Sequence, residues 1–303
     1  MNLIENSRGW ELQREVAYMT EKERLEIARM MTMSHRVSAL VEERLLEQID
    51  EAQKRSEDQE ADELLLDLQN ERSRRESEHW ILSGTITEIK YVDSGQNGAT
   101  ILRLKDRREL CLFKSKYREQ NLREGIERGT FYKREWLVGQ IDRVLRLNIV
   151  PPTVIRFDFD GIGSAQAWVI GSAGGMVDWK RTMDPDDAQT MAILDMVTKN
   201  TDRHSGNFLV TPDGRGVAID NGLVFSETDE IVKTVVLDWL RGSKISERLR
   251  KRFTDFLSDR QVREELEKCF VLALGEQSAK RHFLTFIRSL SQIVVEQSIG
   301  REN

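Results

Sequence analysis

Residues 1–78 carry the pattern of long helices. They contain one glycine and no proline, and they are rich in Glu, Arg, Leu, Met and Gln, which favour helices. Apolar residues recur at helical spacing at Val37, Leu40, Val41, Leu45, Ile49 and Ala52. We therefore predict a helical N-terminal extension over residues 1–78. It is expected to pack on the main domain or to mediate self-association with a second copy, and the alternative is a regulatory or substrate-docking arm.

From Trp80 onward the pattern changes to short segments in which β-branched and polar residues alternate. Such alternation is typical of strands, and it predicts strands over residues 81–92, 99–104 and 109–114. A helical pattern follows over residues 130–147 until Pro151 and Pro152 end it. Two further strands are predicted over residues 153–159 and 165–170. Residues 79–171 therefore form one predicted lobe, which is built on a sheet.

The second predicted lobe covers residues 172–303 and is mainly helical. Asp184 and Pro185 are typical of a helix N-cap and a first-turn proline. Two apolar segments, residues 208–210 and 217–219, flank a Pro-Asp-Gly turn and predict a short hairpin. The predicted fold class is thus α+β, with two lobes and a helical N-terminal extension.

Composition and charge narrow the function classes. The 303-residue chain has a formal net charge of −6, which argues against a nucleic-acid partner held by bulk electrostatic attraction. Cys111 and Cys269 are far apart and lack a metal-ligand pattern, as expected for reduced cysteines of a cytoplasmic protein. No apolar stretch approaches the roughly 18 residues of a membrane span, and the N-terminus lacks a signal-peptide pattern. We expect a soluble, cytoplasmic protein.

The segment from Asn200 to Asn207 holds the strongest chemical pattern of the chain. It reads Asn-Thr-Asp-Arg-His-Ser-Gly-Asn, and Asp220 follows thirteen residues later, beyond the predicted hairpin. Because the hairpin returns the chain, Asp202, Asn207 and Asp220 are expected to lie together. Two carboxylates and one amide oxygen suit Mg²⁺, and their spacing is that of the base and metal ligands in protein kinases. We interpret Asp202 as the base and the other two as metal ligands for phosphoryl transfer from ATP.

A lysine and a carboxylate complete the predicted nucleotide site. Lys114 ends the third predicted strand, where it could contact the α- and β-phosphates of ATP. Such a lysine needs a carboxylate to position it. Glu135, in the helix that follows, is our choice over Glu119, Glu124 and Glu127.

Two glycines and a histidine are weaker candidates. Gly95 and Gly98 lie in the turn between the first two predicted strands, where glycine lets backbone amides approach phosphates closely. Ordinary hairpin turns also favour glycine, so this interpretation depends on the position of the turn relative to Lys114. His204 lies within the motif, and we interpret it as bracing the loop by hydrogen bonds rather than contacting the transferring phosphate.

The motif residues resemble a known family. Segments 200–207 and 219–225 are similar to the atypical kinases of the phosphatidylinositol 3-/4-kinase-like group, which is related to HipA-type bacterial kinases and secretory-pathway casein kinases. Phe113-Lys114, Arg134-Glu135 and residues 163–169 resemble the nucleotide lobe of the same family. The resemblance covers residues 80–225 and implies a bilobal protein-kinase-like fold.

The resemblance also implies roles for individual residues. It makes Asp202 the catalytic residue, Asn207 and Asp220 the metal ligands, and Lys114 the ATP-binding lysine. Asp220-Asn-Gly replaces the Asp-Phe-Gly of ordinary protein kinases, and this replacement suits the atypical group. The hinge that meets adenine would lie in residues 168–172, at Trp168 and Ile170.

The implied function is an ATP- and Mg²⁺-dependent kinase that phosphorylates a hydroxyl acceptor. A protein Ser/Thr acceptor is favoured, and phosphatidylinositol or a small molecule is the alternative. A non-catalytic nucleotide-binding pseudokinase scaffold is the rival from another class. The joint presence of Lys114, Asp202, Asn207 and Asp220 argues against that rival.

Overall fold

The computed structural model describes residues 19–92, 98–105, 109–120, 123–158, 160–228, 231–232 and 234–299. Helices α1 (Glu21–Lys54) and α2 (Asp58–Ser83) form an antiparallel hairpin at the start of this region. Helix α1 begins at a capping box, in which the Thr20 side chain accepts from the Glu23 amide and the Glu23 side chain accepts from the Thr20 amide. The apolar residues predicted at helical spacing, from Val37 to Ala52, are buried within this chain.

An antiparallel sheet follows the hairpin, with strand order β1-β2-β3-β5-β4 among the described residues. Its strands are β1 (Ile86–Tyr91), β2 (Ala99–Leu104), β3 (Leu110–Ser115), β4 (Thr153–Asp158) and β5 (Gly161–Ala167). Helix α3 (Phe131–Val144) connects β3 to β4. The predictions of the second and third strands and of this helix are confirmed to within a few residues.

Two strand predictions are wrong at their ends. Residues 81–83 belong to α2, because Trp80 and Ile81 pack against the sheet residues Leu104 and Phe113 as part of a helical face. The strand predicted over residues 165–170 instead runs from Gly161 to Ala167. Gly161 pairs with Asp158 of β4, and Gly163 pairs with residues of both β3 and β4, so both glycines belong to the strand.

The rest of the chain is mainly helical, as predicted. A small antiparallel sheet, with order β6-β7-β8 in the described residues, contains β6 (Ser172–Ala173), β7 (Phe208–Val210) and β8 (Gly216–Ala218). The helices are α4 (Trp179–Thr182), α5 (Pro185–Thr198), α6 (Val235–Leu240), α7 (Glu247–Ser258), α8 (Arg260–Leu274) and α9 (Glu276–Glu296). Asp184 caps α5 through the amides of Asp186 and Asp187, which confirms the predicted N-cap. No helix in the described ranges has both the length and the apolar character needed to cross a membrane.

The helical hairpin is part of the core. Helix α1 contacts both α3 and α8, and α2 contacts β4 and β5, so the hairpin lies against both lobes. The Trp136 indole nitrogen on α3 donates to Ser34 Oγ on α1 at 2.8 Å. The helical hairpin therefore covers one face of α3.

Buried ion pairs fasten this hairpin to α3. The Arg143 side chain is fully buried, and its Nε and Nη2 atoms lie 3.1 Å from Glu71 Oε2 and 2.6 Å from Glu78 Oε2. Burial alone would lower the pKa of Arg143, but the two glutamates outweigh it and raise that pKa above its usual value. Arg74 pairs with Asp142 at the same end of α3. Helix α2 supplies the partners of both Arg143 and Asp142, so these two charges are compensated only while the helical hairpin stays packed against α3.

We expect Glu71→Ala to lower the free energy of unfolding by about 2–3 kcal/mol. Removing one partner of a buried ion pair typically costs ~3–5 kcal/mol, and the loss here is smaller because Glu78 still faces Arg143. Urea denaturation would measure the change. Glu63→Ala, at an exposed position of the same helix, should change stability by less than about 0.5 kcal/mol. Equal effects of the two substitutions would contradict a structural role for the buried pair.

Candidate active site

Lys114 lies at the meeting point of the two lobes. Its Nζ atom is 2.5 Å from Glu135 Oε1 on α3 and 2.9 Å from Asp220 Oδ1, which follows β8. Burial alone would lower the pKa of Lys114, but Asp220 and Glu135 together raise it, so the lysine is held charged. The charge of Lys114 in turn lowers the pKa of Asp220. Glu135 thus occupies the position predicted for it.

The three competing glutamates lie elsewhere. Glu119 is buried and accepts hydrogen bonds from the backbone amides of Gly129 and Phe131, at the start of α3. Burial raises the pKa of Glu119 more than these backbone bonds lower it. Glu124 and Glu127 precede the helix, as expected. Glu119 therefore stabilises the helix end that presents Glu135, rather than contacting the lysine itself.

Asp202 and Asn207 share one loop before β7. The Asn207 side-chain amide donates to the Asp202 carbonyl oxygen at 2.8 Å and to Asp202 Oδ2 at 3.1 Å. Asn200 Oδ1 accepts from the Asp202 amide at 2.9 Å. The hairpin then returns the chain, and the Ile219 amide donates to the Asn207 carbonyl oxygen at 3.1 Å. Asp202, Asn207 and Asp220 consequently line the same cavity, as their spacing predicted.

The backbone at Asp220 is unusual. Its φ angle is +57°, in the left-handed region that non-glycine residues seldom adopt, although Asp and Asn tolerate it best. Such conformations persist where the surrounding structure determines them, and they cluster at functional sites. Here the conformation accompanies the contact between Asp220 Oδ1 and Lys114.

Arg203 organises this loop, and sequence reasoning gave it no role. Its side chain is fully buried, and Nε lies 3.1 Å from Asp195 Oδ1 on α5. Its Nη1 donates to the carbonyl oxygens of Asn207 and Ile219, and its Nη2 donates to Asn221 Oδ1. One guanidinium thus ties together α5, the loop and both ends of the hairpin. A signal for this role was present in the sequence, because an arginine directly after Asp202 can reach the backbone on either side of it.

The cavity between the lobes has a volume of about 830 Å³. Apolar side chains line it on both sides, with Ala99, Ile101 and Leu112 from the sheet facing Leu209 and Ile219 from the hairpin. This arrangement suits a flat apolar ring between two apolar walls. A second cavity of about 560 Å³ lies behind α3, between the helical hairpin and the sheet, and none of the predicted site residues lines it.

The remaining candidates are the two hinge residues and the two turn glycines, and of the hinge residues one lines the cavity and the other does not. Trp168 lines the cavity, and its amide donates to the Leu110 carbonyl oxygen at 2.9 Å. Ile170 is 77% exposed and does not line it. Gly98 has a φ angle of +54°, and a Cβ there would lie 2.9 Å from Arg118 Cδ, so the turn requires glycine. Gly95 lies outside the described residues.

His204 also lines the cavity. Its Nδ1 atom accepts from the Gly206 amide at 3.0 Å, a local bond of the kind predicted for bracing the loop.

We expect Arg203→Ala to lower the free energy of unfolding by about 3–5 kcal/mol, because Asp195 would stay buried without its cation. Chemical denaturation would measure the loss. The matched control is Arg215→Ala, at an exposed position in the turn between β7 and β8, which should cost less than about 1 kcal/mol. A loss below 1 kcal/mol for the Arg203 variant would show that the buried guanidinium does not organise the loop.

Comparisons with known proteins bear on the fold and on the segment that carries these residues. Residues 182–298, which include Asp202, Asn207 and Asp220, match the family model described as phosphatidylinositol 3- and 4-kinase. The crystal structure of the Golgi casein kinase with Mn/ADP bound is similar, with a TM-score of 0.51 and 15% identity over 74% of this chain and 75% of that chain. Another crystal structure of the Golgi casein kinase has a TM-score of 0.50 and 15% identity, with the same coverage. No curated protein matches the sequence significantly.

The structural likeness shows a shared fold, and the family match lies on the hairpin that carries the site residues. Together, the match over residues 182–298 and the shared fold support an atypical kinase of the phosphatidylinositol 3-/4-kinase-like group, and hence a phosphotransferase.

Proposed function

We propose that this protein transfers the γ-phosphate of ATP to a hydroxyl group with Mg²⁺ as the metal, and that a protein Ser/Thr residue is the favoured acceptor. The observation that carries the proposal is the contact of Lys114 with both Glu135 and Asp220, beside Asp202 and Asn207 in one cavity. Phosphoryl transfer needs little covalent chemistry from the protein. It needs positioning and charge neutralisation, which this set supplies.

The donor set fits a hard divalent cation. Because the Asn207 amide nitrogen donates to Asp202, its side-chain oxygen is turned away and can act as a ligand beside Asp220. Among the described residues, no group of three or more His, Cys, Asp or Glu side chains could hold a metal. The remaining ligands would be phosphate oxygens and water, which is the usual arrangement for Mg²⁺ in kinases. The similar Golgi casein kinase is described with Mn/ADP bound, which supports a divalent metal and a nucleotide here.

The residues then have separate tasks. Lys114 binds the α- and β-phosphates, and Glu135 keeps its side chain in place. The adenine ring lies between the apolar walls near Trp168, with the hinge backbone up to Ile170 beside it. Asp202 accepts the proton of the acceptor hydroxyl while the oxygen attacks the γ-phosphorus. The bond to the bridging oxygen breaks, and ADP leaves with that electron pair.

The acceptor could also be a lipid, and the match to the phosphatidylinositol 3- and 4-kinase model is the observation that favours this second candidate. Vesicles containing phosphatidylinositol and a mixture of Ser/Thr-containing proteins, offered in parallel with γ-labelled ATP, would distinguish the two. We place the protein in the cytoplasm, as its composition indicates.

We expect Asp202→Asn to lower turnover of γ-labelled ATP by about 10²–10⁴-fold, because a positioned general base contributes that much to a rate. ADP binding should persist, since Lys114 and Asp220 are unchanged. Thermal unfolding with ADP and Mg²⁺ at about 100 times the dissociation constant would verify it, through a stabilisation of roughly 2.7 kcal/mol.

The control for this variant is Asp213→Asn, at an exposed position in the turn between β7 and β8, which should leave turnover unchanged. Equal turnover by the wild type and the Asp202 variant would contradict the role of the base. ADP-dependent stabilisation of the wild type without any turnover would instead favour the nucleotide-binding scaffold, and absence of that stabilisation would contradict the nucleotide site itself.

A further inference from the structure

The loop between β3 and α3 brings a positive charge to the catalytic carboxylate. Arg123 Nη1 lies 3.5 Å from Asp202 Oδ1, and each of the two side chains is 30% exposed. The other carboxylate oxygen, Oδ2, accepts from the Asn207 amide. The roles assigned above do not use Arg123, although it faces the atom where the acceptor proton would go.

Backbone hydrogen bonds, rather than the ion pair, hold this loop in place. The Gly125 carbonyl oxygen accepts from the Glu227 amide at 2.8 Å, and Ser226 Oγ donates to the Glu124 carbonyl oxygen at 3.1 Å. Gly125 has a φ angle of +75°, and a Cβ there would lie 2.5 Å from Ser226 Oγ, so the close approach requires glycine. Segment 224–227 begins two residues after the Asp220-Asn-Gly motif.

Helix α3 fixes that segment from its other side. Arg134 Nη1 donates to the carbonyl oxygens of Val224 and Phe225. The backbone at Arg123 is therefore positioned by the same helix that presents Glu135. Its guanidinium, however, makes a long and partly exposed contact with Asp202, and such ion pairs contribute little to stability. The guanidinium can exchange this partner at low cost.

We propose that Arg123 is a further catalytic residue, whose guanidinium moves away from Asp202 and binds the γ-phosphoryl group of ATP. This inference rests on the proposed function. A guanidinium presents paired donors that match phosphate oxygens, and it remains charged throughout the reaction. Its move frees Asp202 to accept the acceptor proton while the positive charge neutralises the oxygens of the transferring group. No proton passes to or from Arg123, so the step is otherwise the transfer described above.

Arg123 would also distinguish ATP from ADP. Lys114 contacts phosphates that both nucleotides possess, whereas Arg123 contacts one that only ATP has. Loss of Arg123 should therefore weaken ATP binding and turnover and leave ADP binding unchanged. Loss of an element that merely supports the fold would weaken both nucleotides alike.

The test is calorimetric titration of the full chain with ATP and with ADP, each with Mg²⁺, together with turnover of γ-labelled ATP. We expect Arg123→Met to keep the wild-type affinity for ADP within about twofold, to lose about tenfold in affinity for ATP, and to lower turnover by about 10³-fold. Arg123→Lys, which keeps the charge but not the paired donors, should fall between the two proteins. Arg128→Met, at an exposed position of the same loop, is the control and should behave as the wild type.

The results separate this inference from the proposed function on which it rests. A wild type that binds neither nucleotide would overturn both. A wild type that binds them, with an Arg123→Met variant of unchanged ATP preference and turnover, would overturn the inference alone. Equal weakening of ATP and ADP in that variant would also overturn it, as would a rise in turnover, which would identify the contact with Asp202 as inhibitory. If Arg123→Met is unstable, Arg123→Lys provides the test: the inference predicts that its ratio of ATP affinity to ADP affinity is lower than that of the wild type, and an unchanged ratio would overturn it.

Discussion

The site depends on one cation, Lys114, which is held partly buried between two lobes. Lys114 comes from the sheet, Glu135 from α3 and Asp220 from the segment after the small hairpin, and both carboxylates contact the lysine. Burial without partners would favour the neutral amine, which binds phosphate poorly. The two carboxylates keep it charged, and both reach it only when α3 and the β7–β8 hairpin are in place. Every other feature of the site serves to bring these three elements together.

The position of α3 in turn depends on the N-terminal helices. Helix α3 is buried on the side of the sheet and on the side of α1, and Arg143 at its end is compensated by two glutamates from α2. Undocking the helical hairpin would expose the apolar face of α1 and leave a charge network without its partners. Helices α1 and α2 are therefore coupled to Lys114 through α3, although they lie far from it in sequence. This coupling is structural, because α1 and α2 pack against the helix that presents Glu135.

Local patterns predicted much of this arrangement. The Pro-Asp-Gly turn between two apolar segments was enough to bring Asp220 back to Asp202, because a short hairpin has few alternatives. The order of strand, helix and strand likewise placed Lys114 near Glu135.

Local patterns could not predict which elements, distant in sequence, pack against each other. Trp80 and Ile81 looked strand-like, yet their packing against the sheet keeps them in a helix, and α3 is buried too completely for periodicity to orient it. The roles of Arg123 and Arg143 went unrecognised for a related reason. Their carboxylate partners are distant in sequence, and a charged residue gives no sign of burial until its partner is known.

The most direct test of the account is a crystal structure of the full chain with a non-hydrolysable ATP analogue and Mn²⁺, with anomalous scattering recorded at the manganese edge. We expect an anomalous peak bridging the Asn207 side-chain oxygen, Asp220 and the phosphates, with Lys114 on the α- and β-phosphates and still paired with Glu135. A nucleotide bound without manganese at Asp220, or a metal held elsewhere in the chain, would contradict the assignment of this cavity as the site of phosphoryl transfer.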